Sequence, residues 1–294
     1  MNATTIDLKK NIMWLASYPK SGNTWFRMFL ANYLKNDEEP VSLDEIESTP
    51  IASSPVDFEE TMGFNPFEMG LDEVDLYRPD MYKIITQDTE DENEVFYKKI
   101  HDAYTLNTNN IPIFPAEVSI GAVYFVRNPL DVCVSYANHS SSNIKRKVKL
   151  ILNEKGDVAG RKTGQLRQIM LSWKSHYDSW KSQTEIPVHI VRYEDMKQTP
   201  METFGAIIKF LKLDYDKERL GRAIVNSDFK LLQQMEAETG FKEKAQFCEN
   251  FFWKGTIGNY KEHLSEKQIE RIVTYSKETM IELGYIDSKG KLTV

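Results

Sequence analysis

The stretch WLASYPKSGNTWFR, residues 14–27, decides the fold of this chain. It begins as a short apolar strand, passes through a tight turn with one lysine and one glycine, and ends as the start of a helix. Free backbone N–H groups and the positive end of the helix dipole favour a bound anion at such a start. Lys20 adds a mobile charge, and Ser21, Asn23 and Thr24 add side-chain donors. The stretch therefore predicts a site for a phosphate-bearing nucleotide.

Two features of the same stretch limit this interpretation. The phosphate loop of nucleoside triphosphatases needs a glycine before its lysine, and here Pro19 precedes Lys20. Strand–turn–helix junctions with Pro, Ser and Gly are also common, so an ordinary turn is the alternative on spacing alone. Trp25 lies just behind the polar residues, where a flat base could stack.

Length and composition allow one large α/β domain or two smaller ones. The chain has 294 residues, of which 41% are hydrophobic and 28% charged, as in ordinary folded proteins. Charged residues interrupt the first ten positions, and no apolar run approaches the ~18 residues that span a bilayer. We expect no signal peptide and no membrane partner. Cys133 and Cys248 lack metal-ligand spacing, which fits a reducing cytoplasm and predicts two buried thiols.

Charge is distributed unevenly along the chain. Positions 37–94 carry 19 of the 44 acidic residues but only two of the 37 basic ones, Arg78 and Lys83. The plain interpretation is a solvated surface segment. The alternative is that some of these carboxylates line a pocket for a cationic small molecule. Nucleic acid is not an expected partner, because phosphate contacts need clustered Lys and Arg.

Alternating strand and helix patterns predict a mostly parallel sheet flanked by helices. β-rich runs predict strands at 12–18, 81–86, 95–100, 120–126 and 188–192. Helical periodicity is found at 24–34, 130–138, 165–181, 201–211, 217–226 and 265–283. Positions 36–80 predict a long acidic excursion with short helices. Positions 139–164, with the basic cluster Lys145, Arg146, Lys147 and Lys149, predict a flexible basic lid.

Four segments, in order, resemble the cytosolic-type sulfotransferases, which use 3′-phosphoadenosine 5′-phosphosulfate (PAPS) and release PAP. They are YPKSGNTW (18–25), YFVRNPLDVCVSY (124–136), RYEDM (192–196) and KGTIGNYK (254–261). The resemblance implies a single domain over residues 1–294 with a P-loop-kinase-like fold, the acidic 36–80 insert lying on the substrate side. It also implies a cytoplasmic enzyme, of bacterial type, that sulfates a small molecule.

The resemblance assigns the nucleotide contacts. The 18–25 segment would bind the 5′-phosphosulfate, and Arg127 with Ser135 the 3′-phosphate through charge-assisted hydrogen bonds. From the residues alone, Arg127 could equally pair with Asp131. Trp25 would stack on the adenine, with Phe229 as a second contact, and Tyr193 would reach the adenosine. The implied nucleotide-binding set is Lys20, Ser21, Gly22, Asn23, Thr24, Trp25, Arg127, Ser135, Tyr193, Ser227, Phe229, Lys254 and Gly255.

Sulfuryl transfer needs in-line positioning, a cation at the leaving oxygen and a base at the acceptor. Lys20 is the predicted cation. FYKKIH (96–101) resembles the family's Lys-x-His, which makes His101 the predicted base and Lys99 a supporting charge on the sulfonate. Imidazole suits the task because its ordinary pKa lies near neutrality. His176 and His189 are predicted to be packing residues. The scheme needs no metal, and no ligand array is evident.

The sequence departs from the family pattern at Trp253, where members normally carry an arginine before Lys-Gly. One guanidinium for the 3′-phosphate is therefore missing there. Lys254, backbone amides near Gly255 or a basic residue of 139–164 could replace it. The dimer segment of many animal members is not matched near Lys261, so the oligomeric state stays open.

The acceptor is the least determined part of the prediction. The acidic segment favours a cationic molecule, such as a guanidinium natural product of the saxitoxin type, sulfated on oxygen or nitrogen. Phenols, flavonoids, steroids and lipid head groups are the alternatives. Two rival functions also stay open: a nucleotide kinase, which would need the missing triphosphate loop, and a nucleotide-binding protein without catalysis.

Overall fold

A computed structural model describes residues 10–87, 91, 94–160 and 164–294. Its centre is a parallel sheet in the order β2-β1-β3-β6. The strands are β1 (Ile12–Ser17), β2 (Phe96–Ile100), β3 (Ser119–Val126) and β6 (Val188–Arg192). Two short strands, β4 (Asp157–Val158) and β5 (Gln168–Ile169), form a separate antiparallel pair. The predicted α/β fold with a parallel sheet flanked by helices is confirmed.

Helices cover both faces of this sheet. In chain order they are α1 (Asn23–Lys35), α2 (Pro55–Met62), α3 (Leu71–Ile85), α4 (Pro129–His139), α5 (Ile144–Ile151), α6 (Trp173–Ser182), α7 (Tyr193–Gln198), α8 (Pro200–Phe210), α9 (Lys217–Asn226), α10 (Phe229–Thr239), α11 (Glu266–Tyr275) and α12 (Lys277–Glu282). Short 3₁₀ helices lie at Leu43–Ser48, Pro66–Glu68 and Asn259–Glu262.

Strand β1 is buried on both faces, as expected for a central strand of a parallel sheet. Ile12, Trp14 and Ala16 pack into one hydrophobic core, whereas Met13 and Leu15 pack into a second core on the opposite face. This alternation follows from the two-residue period of a strand. It fixes the position of the turn that follows β1.

The strand order places a switch point beside β1. The chain pairs β1 with β2 on one side and with β3 on the other, which opens a crevice at the carboxyl ends of the strands. The residues that follow these ends are the 18–22 turn, His101, Arg127 and Tyr193. Three of the four family-like segments (18–25, 124–136 and 192–196) and the 96–101 stretch thus reach one edge of the sheet.

Three predicted elements were wrong. Positions 81–86 lie mostly in helix α3, because Met81 and Tyr82 continue the buried face that contains Val74 and Arg78. The helix predicted at 165–181 begins only at Trp173, where Ser172 accepts a hydrogen bond from Ser175 N as its N-cap. The helix predicted at 265–283 is interrupted at Ser276.

The two unusual segments have definite structures where they are described. Positions 36–80 contain the short helices that were predicted, including α2 and the start of α3. Positions 139–164 contain helix α5 and strand β4, so the predicted lid is partly regular structure; residues 161–163 lie outside the described chain. Cys133 and Cys248 are both buried, as predicted.

Candidate active site

The turn after β1 has the backbone geometry expected of an anion site. Lys20 (φ 71°) and Gly22 (φ 101°) both adopt left-handed backbone conformations, so the chain turns sharply before α1. Asn23 donates from Nδ2 to Leu15 O (2.7 Å) and to the Ser17 hydroxyl (3.1 Å), which ties the turn to the strand. The N–H groups of the first helical turn lack intrahelical partners. They are therefore available to a bound anion.

A cavity of about 510 Å³ lies at the carboxyl ends of the strands, against this turn. Thirteen of the fifteen predicted site residues line it. They are Lys20, Gly22, Asn23, Thr24, Trp25, Lys99, His101, Arg127, Ser135, Tyr193, Phe229, Lys254 and Gly255. Ser21 and Ser227 are the two that do not.

These two serines have different environments. Ser21 is fully buried between two lining residues, and its Oγ has no hydrogen-bond partner among the described residues. A phosphate oxygen would satisfy it. The Ser227 hydroxyl instead donates to Ala223 O (2.8 Å), and its carbonyl accepts from Trp25 Nε1 (2.8 Å). Ser227 was predicted to bind the nucleotide, but in this structure it holds Trp25.

Arg127 carries a charge that no described carboxylate neutralises. Its guanidinium donates to Lys20 O (3.3 Å) and Thr256 O (2.9 Å), and its Nε is buried without a partner. The alternative of a pair with Asp131 is wrong, because the Asp131 carboxylate accepts from the backbone of Gly258 and Tyr260. Arg127 therefore remains free to bind an anion.

The Tyr193 side chain contacts the backbone of Gly255 and packs against Gly22. Its hydroxyl donates to Gly255 O (2.9 Å), and its ring lies 4.2 Å from the Arg127 guanidinium carbon. A Cβ on Gly22 would lie 2.8 Å from the Tyr193 ring, and a Cβ on Gly255 would lie 2.6 Å from Phe229. Both glycines are required for this close approach.

The aromatic rings of Trp25 and Phe229 both lie near the Lys197 ammonium. The Lys197 ammonium lies 5.2 Å from the Trp25 ring centroid and 5.4 Å from the Phe229 ring centroid. Burial lowers the pKa of Lys197. Both aromatic residues line the cavity, where a ring face can stack on a flat base.

Lys254 reaches the cavity, but its ammonium is engaged elsewhere. Lys254 Nζ lies 2.9 Å from Asn259 Oδ1 and 2.9 Å from Glu262 Oε2. The neighbouring Trp253, which replaces the family arginine, packs its ring against His263 (5.7 Å between centroids). Neither side chain supplies an uncompensated charge to the cavity.

Lys20 is an isolated ammonium. Its Nζ lies 3.9 Å from the centroid of Phe251 and makes no ion pair with a described residue. Burial, helped by the nearby charges of Lys99 and Arg127, lowers the pKa of Lys20 to about 7. A bound anion would raise this pKa and restore the full charge.

Lys99 is held by Glu243, which also binds Arg27. The two Glu243 oxygens lie 2.9 Å from Lys99 Nζ and 2.8 Å from Arg27 Nη1. Burial opposes ionisation of Glu243, but the two cations outweigh it and lower its pKa to about 2. Sequence reasoning missed Glu243, because it lies 144 positions from Lys99 and outside every motif.

The two ring nitrogens of His101 have different environments. Its Nδ1 lies 2.8 Å from Ser17 O, and a carbonyl oxygen can only accept, so Nδ1 carries the hydrogen. Nε2 is then unprotonated, and it has no hydrogen-bond partner in the described chain. Burial and the charge of Lys99 lower the pKa of His101 to about 3, which keeps the ring neutral.

His176 forms a hydrogen bond with the backbone of His101. It is fully buried, as predicted for a packing residue, and its Nε2 donates to His101 O (3.1 Å). The other ring nitrogen, Nδ1, therefore accepts from the Tyr124 hydroxyl (2.8 Å). This chain of hydrogen bonds fixes the backbone of His101.

The residues of the acidic segment are almost absent from the cavity. Ile51 is the one lining residue from positions 36–80 within the described chain. Asp57 pairs with Lys98 (3.1 Å), and Asp75 is engaged by Arg78 and Arg167. The expectation that these carboxylates line a pocket for a cation is not met in this cavity.

Comparison with known proteins identifies the fold's family. A family model described as "Sulfotransferase domain" matches residues 10–284. The chain belongs to this sulfotransferase family. The predicted enzyme class, a PAPS-dependent sulfotransferase, is thereby confirmed, and the kinase alternative is excluded.

Individual sulfotransferases are similar over most of their length. Cytosolic sulfotransferase 13 of Arabidopsis thaliana is 26% identical, covering 91% of this chain and 76% of the relative. Flavonol 3-sulfotransferase of Flaveria bidentis is 23% identical, covering 92% and 82%. The structure of mouse sulfotransferase SULT7A1 complexed with PAP matches with a TM-score of 0.57 at 19% identity, covering 94% and 85%.

The described residues of this sulfotransferase contain neither a metal-ligand cluster nor a membrane-spanning helix. Among the residues with described coordinates, no group of three or more His, Cys, Asp or Glu side chains could hold a metal ion. No described helix is both long and apolar enough to cross a bilayer.

Proposed function

We propose that this sulfotransferase moves the sulfuryl group from PAPS to a hydroxyl or amine of a small acceptor, with His101 as the base and Lys20 as the cation at the leaving phosphate. The observation that carries the proposal is the unprotonated His101 Nε2 in the cavity that also contains the anion-binding turn. A base and an anion site in one cavity are what in-line transfer requires.

The nucleotide would be held at both charged ends. The N–H groups of residues 22–25, Ser21 Oγ and Lys20 would hold the 5′-phosphosulfate, while Arg127 and Ser135 would hold the 3′-phosphate. The unpartnered atoms Ser21 Oγ and Arg127 Nε support this assignment. Trp25 and Phe229, which both line the cavity, would stack on the adenine.

Each cation has a separate task in the proposed mechanism. PAPS supplies an activated sulfuryl group whose transfer leaves negative charge on a phosphate oxygen. Lys20 stabilises that charge, helped by the turn's N–H groups. His101 Nε2 accepts the proton from the acceptor hydroxyl or amine. Lys99 supports the sulfonate only after loosening its contact with Glu243.

The missing arginine at Trp253 leaves Arg127 as the main 3′-phosphate ligand. Lys254 is paired with Glu262. Lys147 of the basic cluster lies over the Tyr136 ring (3.6 Å) rather than in the cavity lining. Backbone amides near Gly255, which lines the cavity, would take the place of the absent guanidinium.

A neutral acceptor fits the cavity better than a cationic one. Glu243 is its one described carboxylate, and Arg27 and Lys99 already neutralise it. A guanidinium acceptor of the saxitoxin type would meet Lys20 and Lys99 without a free counter-charge. A hydroxylated aromatic acceptor, the class named for the flavonol enzyme, agrees with lining by Tyr136, Phe251 and Val158.

Calorimetric titration with PAP and with AMP tests the nucleotide assignment. The wild-type protein should bind PAP more tightly than AMP, and Arg127→Gln should weaken PAP binding ~10- to 100-fold while leaving AMP binding within ~3-fold. Lys254→Met is the matched control and should change PAP affinity less than ~3-fold. Absence of PAP binding at low salt would refute the proposal.

Transfer of labelled sulfuryl from PAPS to neutral phenols and to guanidinium compounds then tests the acceptor class.

A further inference from the structure

Gln168 and His101 line the same cavity. Strand β5 runs along the chain that follows His101: Ala103 N donates to Ile169 O (2.7 Å), and Ile169 N donates to the Asp102 carboxylate (3.0 Å). Gln168, one residue earlier on β5, therefore belongs to the strand that pairs with the segment following the predicted base.

The Gln168 side chain has an unused acceptor. The residue is only 2% exposed, and its Nε2 donates to Gln165 Oε1 (2.7 Å). This bond orients the amide and leaves Oε1 buried without a hydrogen-bond partner in the described chain. A buried carbonyl oxygen without a partner is unfavourable, so a ligand that donates to it gains affinity.

The surroundings of Gln168 make this oxygen selective. Val158, its cross-strand partner on β4, and Ile51 are apolar walls of the cavity. Among the described lining residues, three others have an unpartnered buried polar atom: Asn23 (Oδ1) and Arg127 (Nε) at the proposed nucleotide site, and His139 (Nδ1) outside it. A polar group of an acceptor thus has few places to bind between apolar walls.

We propose that Gln168 selects the acceptor by accepting a hydrogen bond from a second hydroxyl or N–H group, distinct from the group that receives the sulfuryl. The inference rests on the proposed function and adds the chemistry of the preferred acceptor. A cavity built to hydrogen-bond a substrate group discriminates strongly against the analogue that lacks it. Gln168 would be a specificity-determining residue, with no part in the proton transfer.

Matched phenols test the inference. The probes are phenol, catechol, resorcinol and hydroquinone, each assayed for transfer from PAPS and for binding to the PAP-loaded enzyme. We expect the wild type to prefer the best diol over phenol by at least ~10-fold in kcat/KM. Gln168→Leu should reduce that ratio to below ~3-fold by weakening use of the diol. Gln168→Glu keeps an acceptor oxygen and should keep the preference.

Controls separate the outcomes. Gln168→Met replaces Gln168→Leu if that variant does not fold. If PAP does not bind to the wild type, the proposed function is wrong. If PAP binds but the wild type shows no preference, or the leucine variant keeps it, the inference about Gln168 is wrong and the proposed function stands.

Discussion

His101 Nδ1 lies 2.8 Å from the carbonyl oxygen of Ser17, at the point where β1 ends. This contact links the predicted base to the strand that carries the anion-binding turn. Because the carbonyl can only accept, it selects the tautomer whose Nε2 is free. The same strand therefore positions both the proposed base and the proposed anion site.

Replacement of His101 should abolish turnover without abolishing nucleotide binding. His101→Ala removes the group that takes the acceptor proton, and loss of a general base lowers kcat by roughly 10²- to 10⁴-fold. PAP affinity, measured by calorimetry, should stay within ~3-fold of wild type. His189→Ala is the control, since His189 packs on Phe210 (5.2 Å between ring centroids). An active His101→Ala enzyme would assign the base elsewhere.

PAP affinity should fall as pH rises through neutrality. The pKa of Lys20 is lowered to about 7, mainly by burial, so the free protein loses this charge between pH 7 and 9. If the complex keeps the proton, the dissociation constant should rise up to about 50-fold over that interval. Lys20→Arg stays charged and should show a flat profile. A pH-independent wild-type affinity would contradict the role of Lys20.

The bridge made by Glu243 should contribute to stability in a pH-dependent way. Glu243→Gln leaves the buried Arg27 beside Lys99 without a counter-charge, at a cost of roughly 3 kcal/mol at pH 7. The folded pKa of about 2 lies below the unfolded value of about 4.3. The stabilisation is therefore present above pH 4.3 and is lost as pH falls towards 2.

Urea unfolding at pH 7 and at pH 3 measures this effect. The difference in unfolding free energy between wild type and Glu243→Gln should shrink at the lower pH. Glu238→Gln is the control, because the exposed Glu238 carboxylate accepts only from Gln234 among its described contacts. Equal stability of Glu243→Gln and wild type at pH 7 would show that the bridge contributes nothing.

Two glycines with similar backbone conformations should respond differently to alanine. Gly22 (φ 101°) would place its Cβ 2.8 Å from the Tyr193 ring, whereas a Cβ on Gly63 (φ 79°) would meet no atom within 4 Å. Each substitution strains the backbone by about 1 kcal/mol or more. Only Gly22→Ala displaces Tyr193, so it should weaken PAP binding more than ~10-fold, while Gly63→Ala changes it less than ~2-fold. The PAP affinities of both variants, measured by calorimetry, test this prediction.

Local motifs in the sequence were sufficient for the position of the site. The 18–25 stretch and the residues after three further strands are short-range signals, and parallel strands bring their carboxyl ends to one edge. Ser227 shows the limit of this reasoning. Its motif context suggested a nucleotide contact, but its hydroxyl is used within its own helix and its carbonyl holds Trp25, which lies 202 positions away.

The sequence by itself determined the α/β class, the sulfotransferase motifs and the identity of the catalytic candidates, because these depend on periodicity and on residues close together in the chain. Only the tertiary structure decided which charges are free. Within the part of the chain that the structure describes, Arg127 has no carboxylate partner, whereas Lys99 is paired with Glu243 and Lys254 with Glu262. Charge pairing depends on distances between atoms, and Lys99 and Glu243 are brought within 2.9 Å from 144 positions apart only by folding.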